Sequence, residues 1–334
     1  MPPIDQCDAL VVIDTNALLL PYKLASGELA SLKEKYEALL ANNRLFIPAR
    51  VAREFISNRD ARLIELLLGL LNESSKTSAA AKPLPPRLRS VPGHDELMET
   101  GNALDAARKA YQKAVGKVRG AVEAWRGNDP VTIVYAALFN ATNIVEHDGD
   151  RDATATEWAA RLRNRVPPGF KDASKEDTGI GDFLIWKSIL KLGKQHKKDL
   201  VFVTGEEKTD WMIRLNKEGI YPRPELLAEY RRESGGRAIR LSSLAHLLEE
   251  MQAPAKVVEE VKTAEDSANA EIRATATMAG APRIPGITHP PMRFGSHIRP
   301  GPRMPSRSRH SMARHCHIYQ VKALSPENPD QLRH

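Results

Sequence analysis

The stretch Ala9-Leu10-Val11-Val12-Ile13-Asp14-Thr15-Asn16 decides the fold. Residues 9–13 are a near-continuous apolar run, the pattern of a strand covered on both faces, as in a parallel sheet with helices on either side. Asp14 breaks the run where that strand must end. In an open α/β sheet, side chains at the carboxyl ends of parallel strands converge on one crevice, so an acid in this place is positioned for chemistry as well as for a turn.

Working outward, Leu29, Leu32, Tyr36, Leu39 and Leu40 are spaced for one buried helical face and predict a helix over about 29–40. Leu45-Phe46-Ile47 reads as a second short strand, and Pro48 suits the first turn of a following helix that carries Glu54. This strand, helix, strand, helix opening predicts the α/β class, with a Rossmann-like parallel sheet flanked by helices.

The rhythm changes over residues 57–165, which read as a mostly helical insertion or arm. Helical stretches at about 58–72 and 103–125 are separated by a Ser-, Lys- and Pro-rich joint at 74–92. Lys109, Lys113, Lys117 and Arg119 make the second helix basic, either as a solvated face or as a clamp on a phosphate backbone. From Val166 the α/β pattern resumes, with a turn-rich segment at 167–172, a helix from Asp182 to about Leu192 and a buried strand at 200–204. A helix opened by Asp210 and ending near Gly219, and a last helix over about 241–251, complete the predicted order. The resulting organisation is a domain over 1–252, a helical connector over 253–279 and a Pro-, Arg- and His-rich tail over 280–334. Few aliphatic residues occur in that tail, so it reads as disordered, either a nucleic-acid- or protein-binding extension or a solvated one.

Charge follows the same division. The chain has a formal net charge of +7, with 49 Lys and Arg against 42 Asp and Glu. Nine of those bases and two of those acids lie from Gly280 onward, which leaves forty of each sign in residues 1–279. Any basic surface on the folded part must therefore come from arrangement. No apolar run reaches the roughly 18 residues of a membrane span, and no signal-peptide pattern is read at the amino terminus. With only Cys7 and Cys316, a disulfide framework is not expected, and a cytoplasmic location is.

Four acidic sites fall at the ends of predicted strands or the starts of predicted helices: Asp14, Glu54, Asp182 and the cluster from Glu206 to Asp210. Carboxylates that converge repel unless a cation neutralises them, and a divalent ion is the natural agent. Each has a structural alternative: Asp14 as a turn residue, Glu54 as an ordinary surface acid of its helix, and Asp182 and Asp210 as helix N-caps. Asn16 is placed to orient Asp14 or to form an Asx-turn. No Ser-His-Asp or Cys-His grouping is evident, and no glycine-rich turn follows the first strand, which argues against a dinucleotide site.

These elements resemble the PIN-like domain superfamily of metal-dependent nucleases, and within it the large bacterial branch with an inserted helical region. The resemblance is carried by residues 13–19 (Ile-Asp-Thr-Asn-Ala-Leu-Leu), by 48–59 with Glu54, by Pro167-Pro168-Gly169-Phe170-Lys171-Asp172 with Lys175, by Gly181-Asp182 and Trp186, and by Val203-Thr204 through Lys208, Asp210 and Trp211. It implies a carboxylate-bound Mg²⁺ or Mn²⁺ and hydrolysis of phosphodiester bonds, with RNA favoured over DNA as the nucleic-acid partner. On this resemblance Asp14, Asp182 and Glu206 hold the metal, Glu54 orients or deprotonates the attacking water, and Asp210 competes with Glu206 for the last carboxylate. Asn16 and Thr204 support the metal ligands, and Lys175 and Lys208 meet substrate phosphate. The branch also implies a toxin or defence role, and leaves room for a protein partner or a homo-oligomer. Gly205 departs from the pattern, since family members commonly carry Asp or Asn there. That departure keeps open a non-catalytic module that binds RNA or protein.

Overall fold

A computed structural model describes residues 1–24, 26–76, 86–170, 179–205, 209–215 and 218–279. Five parallel strands form the central sheet: β1 (Leu10–Ile13), β2 (Leu45–Pro48), β3 (Ile144–Val145), β4 (Leu200–Val203) and β7 (Ile239–Ser242), in the order β3-β2-β1-β4-β7. Every residue of β1, β2 and β4 is buried, because helices cover both faces and leave no strand position in water. Strand order runs one way from β1 through β2 to β3 and the other way from β1 to β4. This reversal is a topological switch point, where the loops leaving the two strands diverge and open a crevice.

The helices preceding the arm are α1 (Thr15–Leu19), α2 (Ser26–Ala41) and α3 (Ala49–Lys76). Pro48 is the last residue of β2, paired with Val145, and so lies just outside the helix that was predicted to contain it. At this edge of the ladder a missing N–H is tolerated. The long helix α4 (His94–Trp125) packs along α3. Next comes α5 (Pro130–Leu138), whose N-cap Asp129 is fully buried and accepts from Val131 N and Thr132 N while Tyr22 Oη donates to the same carboxylate at 2.9 Å. The sheet takes β3 and the buried Tyr135, Leu138 and Trp158 from the stretch read as an insertion. Trp158 belongs to α6 (Arg151–Asn164) and stacks on Phe183 at 5.6 Å.

Helix α7 (Ile180–His196) buries Trp186, Ile189 and Leu192 in the main core, a stripe at helical spacing, while Phe183 is buried against Trp158 of α6. Two expectations fail after β4. The described residues of the span 210–219 are not helical: β5 (Met212–Leu215) and β6 (Glu218–Pro222) pair antiparallel, with a register shift between Ile213 and Arg214. Gly219 had suggested a helix terminus, yet it serves a close cross-strand approach, since a Cβ there would stand 3.2 Å from Met212 Cγ. Leu241 likewise lies in β7, and the last helix predicted over 241–251 is shorter, α9 (Leu244–Glu250), capped by Ser243. The sequence reading also missed α8 (Pro224–Glu233), which has proline at its first position.

Helix α10 (Ala255–Ala279) covers α9 and buries Val257, Val261 and Ala264. No helix among the described residues is long and apolar enough to cross a membrane. The tail over 280–334 lies outside the described residues.

Candidate active site

Asp14 follows β1 and is the N-cap of α1, accepting from Thr15 N at 2.7 Å through Oδ1. Its other oxygen accepts from Thr204 Oγ1 at 2.7 Å. Thr204 follows β4, so one hydrogen bond spans the two strands that flank the switch point. Asn16 completes the link: its Nδ2 donates to Thr204 Oγ1 at 3.3 Å and its Oδ1 accepts from Gly205 N at 3.0 Å. These polar groups saturate the backbone ends of β1 and β4 and fix the direction of the Asp14 carboxylate.

Glu54 enters from the second turn of α3. Thr15 Oγ1 donates to its Oε2 at 2.9 Å and Arg50 Nε to its Oε1 at 2.5 Å. Thr15 therefore joins the two acids, with its amide on Asp14 and its hydroxyl on Glu54. The neighbouring Arg53 turns to Glu146, and its guanidinium holds that carboxyl below its ordinary value. Arg50 thus serves the interior pair and Arg53 the rim.

Asp182 lies in the first turn of α7 and is not the helix N-cap that was expected. Gly179 takes that position, with φ 71°, a left-handed conformation open to glycine. Being one turn inside frees the Asp182 side chain for other partners, and Trp211 Nε1 donates to its Oδ2 at 3.3 Å. The preceding Gly181 brings the helix end against the first acid pair, because a Cβ there would stand 3.0 Å from Glu54 Oε1 and from Arg50 Nη2. The first turn of α7, with its unsatisfied amides, therefore lies against the Glu54 carboxylate and its Arg50 partner, where a helix N-terminus favours negative charge.

Asp210 is a different case. It opens no helix, it is fully buried, and its Oδ2 accepts from Gly169 N at 2.9 Å. Its described role is to anchor the turn that ends in Gly169. Glu206, Lys175 and Lys208 lie outside the described residues. The sequence reading missed Thr15 and Arg50; their signal was only that they flank or share a turn with Asp14 and Glu54.

Among the described residues, no three Asp, Glu, His or Cys side chains form a ready metal group. The donors present are nonetheless of the kind a hard divalent cation takes, carboxylate oxygens held rigidly by neighbouring hydroxyl and amide groups. A carboxylate oxygen that accepts one hydrogen bond keeps a further lone pair, so Asp14 can serve Thr15, Thr204 and a cation together.

A five-stranded parallel sheet flanked by helices, with a polar crevice at its switch point that carries Asp14, defines the class as a Rossmann-like α/β domain. A family model described as a PIN-like domain matches residues 10–226, well over half of the chain, and the chain belongs to that family. Such domains are generally nucleases that use divalent metal ions. No curated protein and no solved structure matches the chain.

Proposed function

We propose that the protein is a metal-dependent endoribonuclease whose site is built on Asp14, Glu54 and Asp182. The observation that supports this most directly is the Asp14 to Thr204 hydrogen bond at the switch point between β1 and β4, with Glu54 joined to it through Thr15. In this reading Asp14 and Asp182 hold Mg²⁺ or Mn²⁺, and Glu206 supplies a further ligand. When bound, the cation supplies Lewis-acid stabilisation of charge on the transferred phosphorus.

The chain's own groups do the rest. Glu54 accepts the proton of the attacking water, and Arg50 and Thr15 hold its two oxygens so that the acceptor is fixed in direction. Thr204 and Asn16 orient Asp14, and Lys175 and Lys208 meet substrate phosphate. Asp210 supports the Gly169 turn. RNA is the preferred substrate class, and a toxin or defence role follows the bacterial branch that the chain resembles. That role predicts growth arrest on expression or altered phage sensitivity on deletion, and it is abandoned if neither occurs.

The deciding experiment is cleavage of labelled single-stranded RNA, with matching DNA, in Mn²⁺, Mg²⁺ or EDTA, by wild type, Asp14→Asn and Asp182→Asn. RNA cleavage that requires the metal and is lost in both variants supports the proposal. RNA binding without cleavage under every condition replaces it with a non-catalytic RNA-binding module.

A further inference from the structure

On α4, Leu97, Leu104, Tyr111 and Val118 recur every seventh residue and are 47%, 60%, 43% and 48% exposed. Four large apolar side chains on one line of a water-facing helix are unusual, because a solvated helix carries polar residues along such a line. Three residues after each stands a small one: Thr100, Ala107, Ala114 and Ala121, all exposed. This is an a/d heptad seam sustained over four repeats, the pattern that pairs one helix with another. The seam is additional to the contact with α3, where α4 already buries Val115.

We infer that the seam is the self-association surface of this chain, and that two copies pair their α4 helices antiparallel. Two features of α4 select a second copy as the occupant. The first is charge. In this heptad Glu96 and Lys117 stand at g, the charged position that flanks the seam, near its two opposite ends. Antiparallel pairing runs g along g and brings Glu96 of each copy within about a turn and a half of Lys117 of the other, an opposite-charge pair, whereas parallel pairing runs these g residues along the uncharged e residues Gly101 and Val122. The second is size. In antiparallel coiled coils an a position meets a d position, so Leu97 faces Ala121, Leu104 faces Ala114, Tyr111 faces Ala107 and Val118 faces Thr100. Every layer is one large residue with one small one, which lets the helices approach closely and interdigitate. The pairing is isologous, as a two-fold dimer requires. The α3–α4 pairs of two copies then form a four-helix arrangement.

Sedimentation of the full chain at about 50 µM and at about 1 µM tests the inference, since a dimer must weaken on dilution by mass action. A dimer is expected at the higher concentration. Leu104→Glu should raise the dissociation constant at least about 100-fold, because it places a charge in a central layer. Compared at dilutions where both are monomeric, the variant should melt with wild type, because position 104 is exposed in the single chain. Charge reversal provides a control independent of packing. Glu96→Lys and Lys117→Glu should each dimerise more weakly than wild type alone, and their equimolar mixture should recover association. Orientation is read from spin labels at Asp95→Cys with Cys7 and Cys316 replaced by Ser: more than about 40 Å between labels if antiparallel, roughly 20 Å if parallel. A monomer at the higher concentration, a dimer indifferent to Leu104→Glu, or the short label distance overturns the inference. RNA cleavage enters none of these readouts, so they stand or fall separately from the nuclease assignment.

Discussion

Thr204 Oγ1 donates to Asp14 Oδ2 at 2.7 Å, one bond that closes β4 onto β1 beyond the last ladder pair, Ile13 with Val203. Thr204→Val keeps the shape of the side chain and removes the donor. The expected cost is about 1–2 kcal/mol of stability and a 10- to 100-fold fall in RNA cleavage, with Thr204→Ser restoring most of both. Steady-state kinetics beside chemical denaturation decide it. Full activity in the valine variant would remove Thr204 from the site.

Glu54 shows the opposite balance of activity and stability. Its pair with Arg50 is partly exposed, 27% for each side chain, so solvent screens it and its stability contribution is at most about 1 kcal/mol. If it accepts the water proton, Glu54→Gln should lose about 10²- to 10⁴-fold in turnover while melting close to wild type. A glutamine variant that cleaves normally would assign Glu54 to structure alone.

How far the sequence could be read follows from burial. Strands β1, β2 and β4 were legible because they are apolar on both faces and bounded by turn residues. β3 has two residues, Ile144 and Val145, too few to show any period. β7 has buried ends and half-exposed central residues, so Leu241 was absorbed into the helix that follows. The antiparallel pair of β5 and β6 was hidden because a glycine in a close strand crossing and a glycine ending a helix look alike in one dimension. In the site, acids at strand ends stood out, whereas Thr15 and Arg50 did not. Their partner is Glu54: a hydroxyl reaching 39 residues along the chain leaves no local pattern, and Arg50, four residues before Glu54, makes an i,i+4 pair of the kind any exposed helix carries.

Asp210 allows a test of whether an acid expected at the site serves the fold or the chemistry. Its carboxylate is fully buried and holds Gly169 N. Asp210→Ala leaves that amide without its acceptor, and the expected loss is about 1–3 kcal/mol in a denaturation titration. Asp182→Asn, by contrast, should abolish cleavage with little change in midpoint. If the folded fraction of Asp210→Ala were as inactive as Asp182→Asn, Asp210 would return to the list of catalytic acids.

The acids at the two ends of α9 give opposite pH dependence. Glu265 accepts from Leu244 N and Ala245 N, but burial outweighs those bonds and raises its pKa. A raised carboxyl pKa means that the native state holds its proton longer, so this group costs stability as pH rises above the ordinary glutamate value, about 4.5. Glu250 is also pushed up by burial, but the Arg240 guanidinium and Ile4 N more than reverse this and leave its pKa lowered. It contributes stability above the ordinary value, lost as pH falls through the lowered one. Relative to wild type, Glu265→Gln should therefore gain stability between pH 4 and pH 7. Glu250→Gln should lose stability over the same range, and parallel denaturation curves for all three proteins would show both groups to be uncoupled from folding.

Gly205, the position where the sequence departs from the pattern it resembles, has room for a side chain. A Cβ at Gly205 would meet Asn16 at 3.7 Å, ordinary van der Waals contact, and the residue borders a cleft of about 520 Å³ shared with Ser242 and Ser243. Its amide bond to Asn16 Oδ1 is a backbone contact that a new side chain leaves in place. Gly205→Asp should therefore fold with a stability change within about 0.5 kcal/mol. The added carboxylate stands beside Asn16 and Thr204, the residues that orient Asp14, so it should lower the Mn²⁺ concentration that gives half-maximal cleavage. Metal titration of RNA cleavage measures it directly. A variant that folds normally but needs as much metal as wild type would mean that the cation sits nearer Asp182 than β4, and Glu54→Gln would then be the more sensitive probe of metal demand.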